Sequence, residues 1–132
     1  MEKIITALQA RKKAPTRITR ASKLYKTIIL AIKEKKGEDI VSLDLRKIDE
    51  AVSDFFIICE AQSYVQIKAI ADAIVDAVSR ECDEKPFHTE GGEAWTLVDY
   101  VNIVVHVFSR EQCKFYDLES LWLDAERMEH ND

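Results

Sequence analysis

Carboxylates are the reactive groups this chain supplies in number, and their commonest joint task is to hold a divalent cation. Asp39, Asp44 and Asp54 are the set to weigh. Asp44 sits beside Leu43 and Leu45 in a strand-like run and Asp54 opens the next run, so the two can approach each other across a sheet. Magnesium-assisted transfer would also need a phosphate-binding motif, and none accompanies them. Solvated charge at strand edges accounts for the same residues more simply. The chain has only three glycines, Gly37, Gly91 and Gly92, and the last two lie among acidic side chains that repel phosphate. His88, His106 and His130 lack partners at metal-ligand spacing. No serine stands in a nucleophile-elbow context. Cys59, Cys82 and Cys113 are odd in number and widely spaced, each inside an apolar pattern, as buried reduced thiols are. These residues predict no catalysis, no cofactor and no metal.

A different kind of chemistry is better supplied. Glu90, Gly91, Gly92 and Glu93 form an acidic loop directly before Trp95, which starts a β-rich run. An aromatic anchor for a protein partner is placed in just such a setting, although core packing is the default for any tryptophan. His106 interrupts a run of Val and Ile. A hydrogen-bonded structural histidine is the simpler reading there, and a place in an interaction surface the second.

The elements that must position these residues follow from periodicity. Residues 1–20 form a weakly patterned leader broken by Pro15. From Ala21 the spacing turns helical, with Leu24, Ile28, Ile29 and Ile32 on one stripe and a cationic end closed by Gly37. Residues 40–45 read as a strand with polar residues at alternate positions. The uninterrupted Phe55-Phe56-Ile57-Ile58-Cys59 predicts a strand covered on both faces near the middle of a sheet. Ser63 is a natural N-cap for a helix whose stripe runs through Ile67, Ile70, Ala71, Ile74, Val75 and Val78. Residues 82–94 read mostly as loop, with a short strand near Phe87. The runs 95–99 and 103–108 then form a hairpin through Tyr100-Val101-Asn102. Ser109 caps a last helix with its stripe on Phe115, Leu118, Leu121 and Trp122. The order predicts a single α/β domain over residues 21–125, with a mixed sheet flanked by helices and a short tail from 126 to 132.

The net charge of −5 is unevenly spread. Residues 1–26 hold eight Lys or Arg against Glu2 alone, and the remaining 106 residues hold 11 basic and 23 acidic side chains. An acidic body is repelled by phosphate backbones and suits a basic protein partner. The basic head is a solvated tail in the simplest reading, with a loose phosphate contact or an organelle-targeting segment as alternatives, and direct RNA contact through residues 1–26 is at most peripheral. No apolar run approaches the roughly 20 residues a membrane-spanning helix needs, and no secretory h-region opens the chain.

Taken together, Phe55-Phe56-Ile57-Ile58-Cys59, Ile70-Ala71-Asp72, Glu90-Gly91, the run Trp95 to Tyr100, Val104-Val105-His106-Val107-Phe108 and the run Phe115 to Trp122 resemble the ribosomal silencing factor, or Iojap, family. The resemblance covers about residues 24–125, in order and without large gaps. It implies a fold similar in outline to nucleotidyltransferases, without their catalytic carboxylate motif. It also implies an activity: binding the large ribosomal subunit through its fourteenth ribosomal protein and blocking subunit joining, with a part in large-subunit maturation. By position, Glu90, Gly91, Trp95, Asp99 and Tyr100 are then expected at the interface, with Glu93 as rim charge and His106 as a further member. Tyr116, Leu118, Leu121 and Trp122 match the family equally well but read first as packing against the sheet.

The chain departs from the family pattern at Glu60-Ala61-Gln62-Ser63-Tyr64-Val65, where a Gly-Thr-Ser-x-Arg-like turn is usual, and at Val101-Asn102, where Gly-Asp is usual. Of the latter pair Asn tolerates a left-handed backbone and Val does not. Two competing readings follow from the residues. One is a metal-dependent nucleotidyltransferase-like enzyme using Asp44 and Asp54, and the other is a homodimer paired through the hairpin edge. The expected compartment is the bacterial cytoplasm, with an organelle as the alternative.

Overall fold

The computed structural model describes residues 18–48, 53–110 and 125–130. Helix α1 (Lys23–Glu34) leads into strands β1 (Glu38–Asp44) and β2 (Phe55–Ala61). Helix α2 (Tyr64–Cys82) follows, then β3 (His88–Gly91), β4 (Trp95–Asp99), β5 (Ile103–Ser109) and β6 (Glu126–Glu129). The strands form one sheet in the order β3-β4-β5-β2-β1-β6. β2 and β5 are parallel and the other pairs antiparallel, which is the mixed sheet the sequence predicts. The parallel partner of β2 is not the strand directly after α2. β3 and β4 run out to the sheet edge first, and β5 returns beside β2, so the crossover contains a helix and two antiparallel strands.

The two helices close differently. Ser63 is the N-cap of α2, its hydroxyl accepting from Gln66 N at 3.1 Å. Helix α1 ends in a paired turn in which Lys36 N donates to Lys33 O and Gly37 N to Ile32 O, both at 3.0 Å. Lys36, not Gly37, takes the left-handed backbone, with φ 64°. Gly37 is needed for another reason: a Cβ there would lie 2.4 Å from Ile32 Cγ2.

The sheet buries both faces. One carries Phe55, Ile57, Val98, Val105 and Val107, packed against Ile28 and Ile32 of α1 and Ile67, Ile70 and Ile74 of α2. The other gathers Val41, Leu43, Phe56, Ile58, Leu97, Val104 and Phe108, and neither described helix contributes to it. Covering both faces explains the unbroken apolar run of β2. It also explains why Ser42 and Asp44, expected as solvent-facing positions of an alternating strand, are buried instead: β1 lies inside the sheet between β2 and β6.

The domain is longer than the sequence suggests. Ile18 N donates to Asp54 Oδ2 at 2.8 Å and its side chain packs on the helix-side core, so residues 18–20 belong to the fold. Residues 126–129, expected as tail, form β6 against β1. The helix expected after Ser109, with Cys113, Phe115, Tyr116, Leu118, Leu121 and Trp122, falls outside the described residues. Among the described residues no helix is long and apolar enough to cross a membrane.

Candidate partner-binding surface

Strand β3 is the sheet edge nearest the acidic loop, and all four of its residues are exposed. Gly92 N donates to Trp95 O at 2.9 Å and closes the turn that carries Glu93. Register sets Glu90 opposite Leu97 and Gly91 opposite Thr96. Glu90, Gly91 and Glu93 are therefore presented together at one rim, with half-buried Trp95 at its inner border.

Trp95 is held from below. It pairs with Phe108 across the hairpin, and Leu97 pairs with His106. The Trp95 indole N–H donates to His106 Nδ1 at 3.3 Å, and the two rings stack at 6.3 Å between centroids and 21° between planes. Phe108 continues the stack, and Phe56 meets His106 edge-on at 4.9 Å. His106 is fully buried, and burial pushes it down to about 3, so it is neutral. An acceptor at Nδ1 puts the remaining proton on Nε2. Among the described residues that nitrogen has no partner, at a cost of about 1–3 kcal/mol.

Asp99 and Tyr100 also lie beneath the surface. Asp99 is 2% exposed, and its Oδ1 accepts from Val101 N at 2.7 Å. The hairpin turn there is tight: Asn102 N donates to Tyr100 O at 2.9 Å and Val101 takes φ 71°. The left-handed residue is thus the β-branched Val101, the member of the pair that tolerates that backbone less well. Ser53 Oγ secures it by donating to Val101 O at 2.7 Å. Tyr100 packs in the helix-side core, and burial, reinforced by Glu84 and Cys82, pushes its hydroxyl up to about 12. Of the seven expected contact residues, Glu90, Gly91, Glu93 and Trp95 reach solvent, whereas Asp99, Tyr100 and His106 support them from within.

Of the three carboxylates weighed for a metal, Asp44 and Asp54 do lie at adjoining ends of β1 and β2, where Leu45 N donates to Asp54 O at 2.8 Å, but the third does not join them. Asp39 is exposed at the far end of β1 from Asp44. Asp44 is gripped by Arg46, Nε to Oδ1 at 2.9 Å and Nη2 to Oδ2 at 2.7 Å. Burial alone would raise its carboxyl, but the Arg46 fork, with Arg20 behind it, holds it below the ordinary value. Arg46 and Arg20 also lie over the Phe55 ring, at 5.1 and 5.7 Å. Among the described residues no three His, Cys, Asp or Glu side chains are grouped to hold a metal ion.

One polar cluster had no signal in the sequence pattern. Tyr25 Oη donates to Ser42 Oγ at 2.7 Å, and His130 Nε2 lies 2.9 Å from the first and 3.0 Å from the second. Ser42 is fully buried, which removes it from any substrate. The cluster fastens the end of β6 to the core. The departure at residues 60–65 is likewise structural: Gln62 Nε2 donates to Glu38 Oε1 at 2.6 Å, and Gln66 Nε2 to Lys36 O at 2.9 Å, tying α2 to the end of α1.

Residues 18–132 match the family described as ribosomal silencing factor during starvation. The chain is 37% identical over 107 residues to the ribosomal silencing factor of Bacillus subtilis, covering 77% of this chain and 86% of that one. It is 36% identical over 108 residues to that of Halalkalibacterium halodurans, covering 80% and 91%. Its backbone is similar to the crystal structure of a Chromobacterium violaceum protein, with a TM-score of 0.69 and 33% identity over 75% of this chain and 82% of that chain.

Proposed function

This chain belongs to the ribosomal silencing factor family, and from that premise we propose that it is a translational repressor acting as a binding protein rather than an enzyme. It docks on the large ribosomal subunit through the fourteenth ribosomal protein and blocks subunit joining by bulk, in the bacterial cytoplasm. A domain of this size is on the order of 30 Å across, enough to obstruct the joining face when anchored near it. A second role in large-subunit maturation uses the same attachment.

The observation that carries the docking site is the position of Trp95. Its ring is half-buried and fixed by His106 at a rim where Glu90 and Glu93 face solvent. A pre-positioned aromatic anchor contributes affinity without a large ordering cost, and the carboxylates orient a basic partner and speed encounter. Asp99 and Tyr100 act from below by fixing the hairpin.

Gradient sedimentation of isolated subunits with and without the protein tests the function. The expected result is co-migration with the large subunit and fewer joined ribosomes. Trp95→Ala and the pair Glu90→Lys, Glu93→Lys should each weaken co-migration at least tenfold while the fold melts cooperatively. Wild-type protein that leaves the large subunit unbound would end the proposal. Full binding by both variants would move the site elsewhere.

A further inference from the structure

On the helix side of the same edge, facing away from Trp95, a groove of about 790 Å³ runs between α2 and β3. Ala71, Val75 and Val98 are among its apolar lining. Its α2 wall extends from Tyr64 to Ser79, about 22 Å at 1.5 Å per residue, the length of roughly seven extended residues. Among the described residues Asp72, Asp76, Glu90 and Glu93 line it against Lys68 alone, and Asp76 shares its charge with Arg80 at 3.0 Å. At one end Tyr64 is 51% exposed, an aromatic face to which a cation is attracted.

Among the described residues the other wall is the outer edge of the sheet, with bonding positions that no strand takes up. The Gly92–Trp95 hydrogen bond sets the alternation of the β3–β4 ladder, so Glu90 and His88 bond toward β4. The N–H and C=O groups of Thr89 and Gly91 then point outward, and both residues line the groove. β3 is the terminal strand of the sheet and is fully exposed. Unpaired strand edges accept extended chains through backbone hydrogen bonds, with alternate side chains read by the adjoining surface.

We propose that this groove binds an extended, lysine- or arginine-rich segment of a partner polypeptide, which adds to β3 as a seventh strand. Its backbone pairs with Thr89 and Gly91, its apolar side chains enter over Ala71 and Val75, and its cations meet Asp72, Glu90 and Glu93. The groove shares Glu90 and Glu93 with the rim of the Trp95 face, while Asp72, Ala71, Val75 and the Thr89 and Gly91 backbone belong to it alone among the described residues.

The test uses the full chain and a fluorescein-labelled heptapeptide of alternating lysine and valine. Anisotropy should report saturable binding, and amide exchange at Thr89 and Gly91 should slow at least tenfold in the complex. N-methylating alternate amides of the peptide should weaken binding at least tenfold, as should Asp72→Lys combined with Glu90→Lys in a variant whose melting is unchanged. No binding, or equal binding of the N-methylated peptide, overturns the proposal, the latter leaving charge attraction alone. Protection of Thr89 and Gly91 before peptide is added also overturns it. If that protection is independent of protein concentration, the edge belongs to the chain's own residues; if it grows with concentration, it belongs to a second copy.

Discussion

The indole nitrogen of Trp95 donates to Nδ1 of His106 at 3.3 Å, joining a half-exposed aromatic side chain to a fully buried one on the neighbouring strand. The bond fixes the imidazole tautomer and restrains the indole, while leaving a buried N–H without an acceptor among the described residues. His106→Leu removes that orphaned donor along with the acceptor for Trp95. Stability should therefore change by less than about 1 kcal/mol, whereas large-subunit binding should weaken several-fold because the anchor is no longer held. Thermal melts beside co-sedimentation check the split. Equal losses of stability and binding would make His106 a packing residue only.

The same burial makes His106 a source of acid sensitivity. Its folded value is depressed from 6.5 to about 3. Below pH 6.5 the unfolded chain takes up a proton that the folded chain refuses, so the contribution is fully present above 6.5 and is lost as pH falls toward 3. Each tenfold difference in proton affinity between the two states corresponds to about 1.4 kcal/mol. The stability of the wild type relative to His106→Leu should accordingly fall by up to a few kcal/mol across that window, to the variant's advantage. Denaturant unfolding at pH 7, 5.5 and 4 measures it. Parallel curves for the two proteins would show that another group sets the acid limit.

Asp99 and Val101 yield opposed expectations at the hairpin tip. Val101 at φ 71° is strained for a β-branched residue, and the Asp99 carboxylate together with Ser53 keeps it there. Val101→Gly relieves that strain but adds freedom to the unfolded chain, so a net gain of up to about 1 kcal/mol is expected. Asp99→Ala leaves Val101 N without its acceptor and should cost about 1–3 kcal/mol. In the double variant the cost of losing Asp99 should be smaller, because the glycine turn no longer needs bracing. Chemical unfolding of the four proteins gives the cycle, and strict additivity would separate the two residues.

What could be read beforehand divides along a physical line. The β2 run, the Ser63 cap and the 95–108 hairpin are written in local periodicity and capping chemistry, which act over a few residues. β6 is not, because an edge strand with the sequence Glu-Arg-Met-Glu and four exposed side chains has no face to alternate. Asp99 was legible as a notable residue but not as a buried one, whereas the simpler reading of His106, a hydrogen-bonded structural histidine in an apolar run, is the one its burial matches. Whether a polar residue in a strand faces water depends on what covers that face, and this is decided by segments distant in the chain. Trp95 and the acidic residues beside it could be singled out because residues 90–95 are contiguous. The groove on the other side could not, since it needs α2 and β3 to be packed together first.

Gly37 supplies the sharpest test of local packing. Its backbone is not left-handed, so substitution there is opposed by space alone: a Cβ would stand 2.4 Å from Ile32 Cγ2 and 3.4 Å from Ile70 Cδ1. Ile32 is fully buried and β-branched, with little freedom to turn away inside α1. Gly37→Ala should therefore destabilise by about 1–3 kcal/mol, the usual cost of overpacking. Ile32→Val and Ile32→Leu divide the cause. Valine keeps a γ-methyl at the branch and should rescue little, at its own cost of about 0.5–1.5 kcal/mol. Leucine removes the Cγ2 methyl and should recover a large part of the loss in the Gly37→Ala background. Unfolding free energies from urea titration of the single and double variants decide it. Equal penalties for Gly37→Ala in the isoleucine and leucine backgrounds would show that the close approach of Gly37 to Ile32 is not what requires glycine.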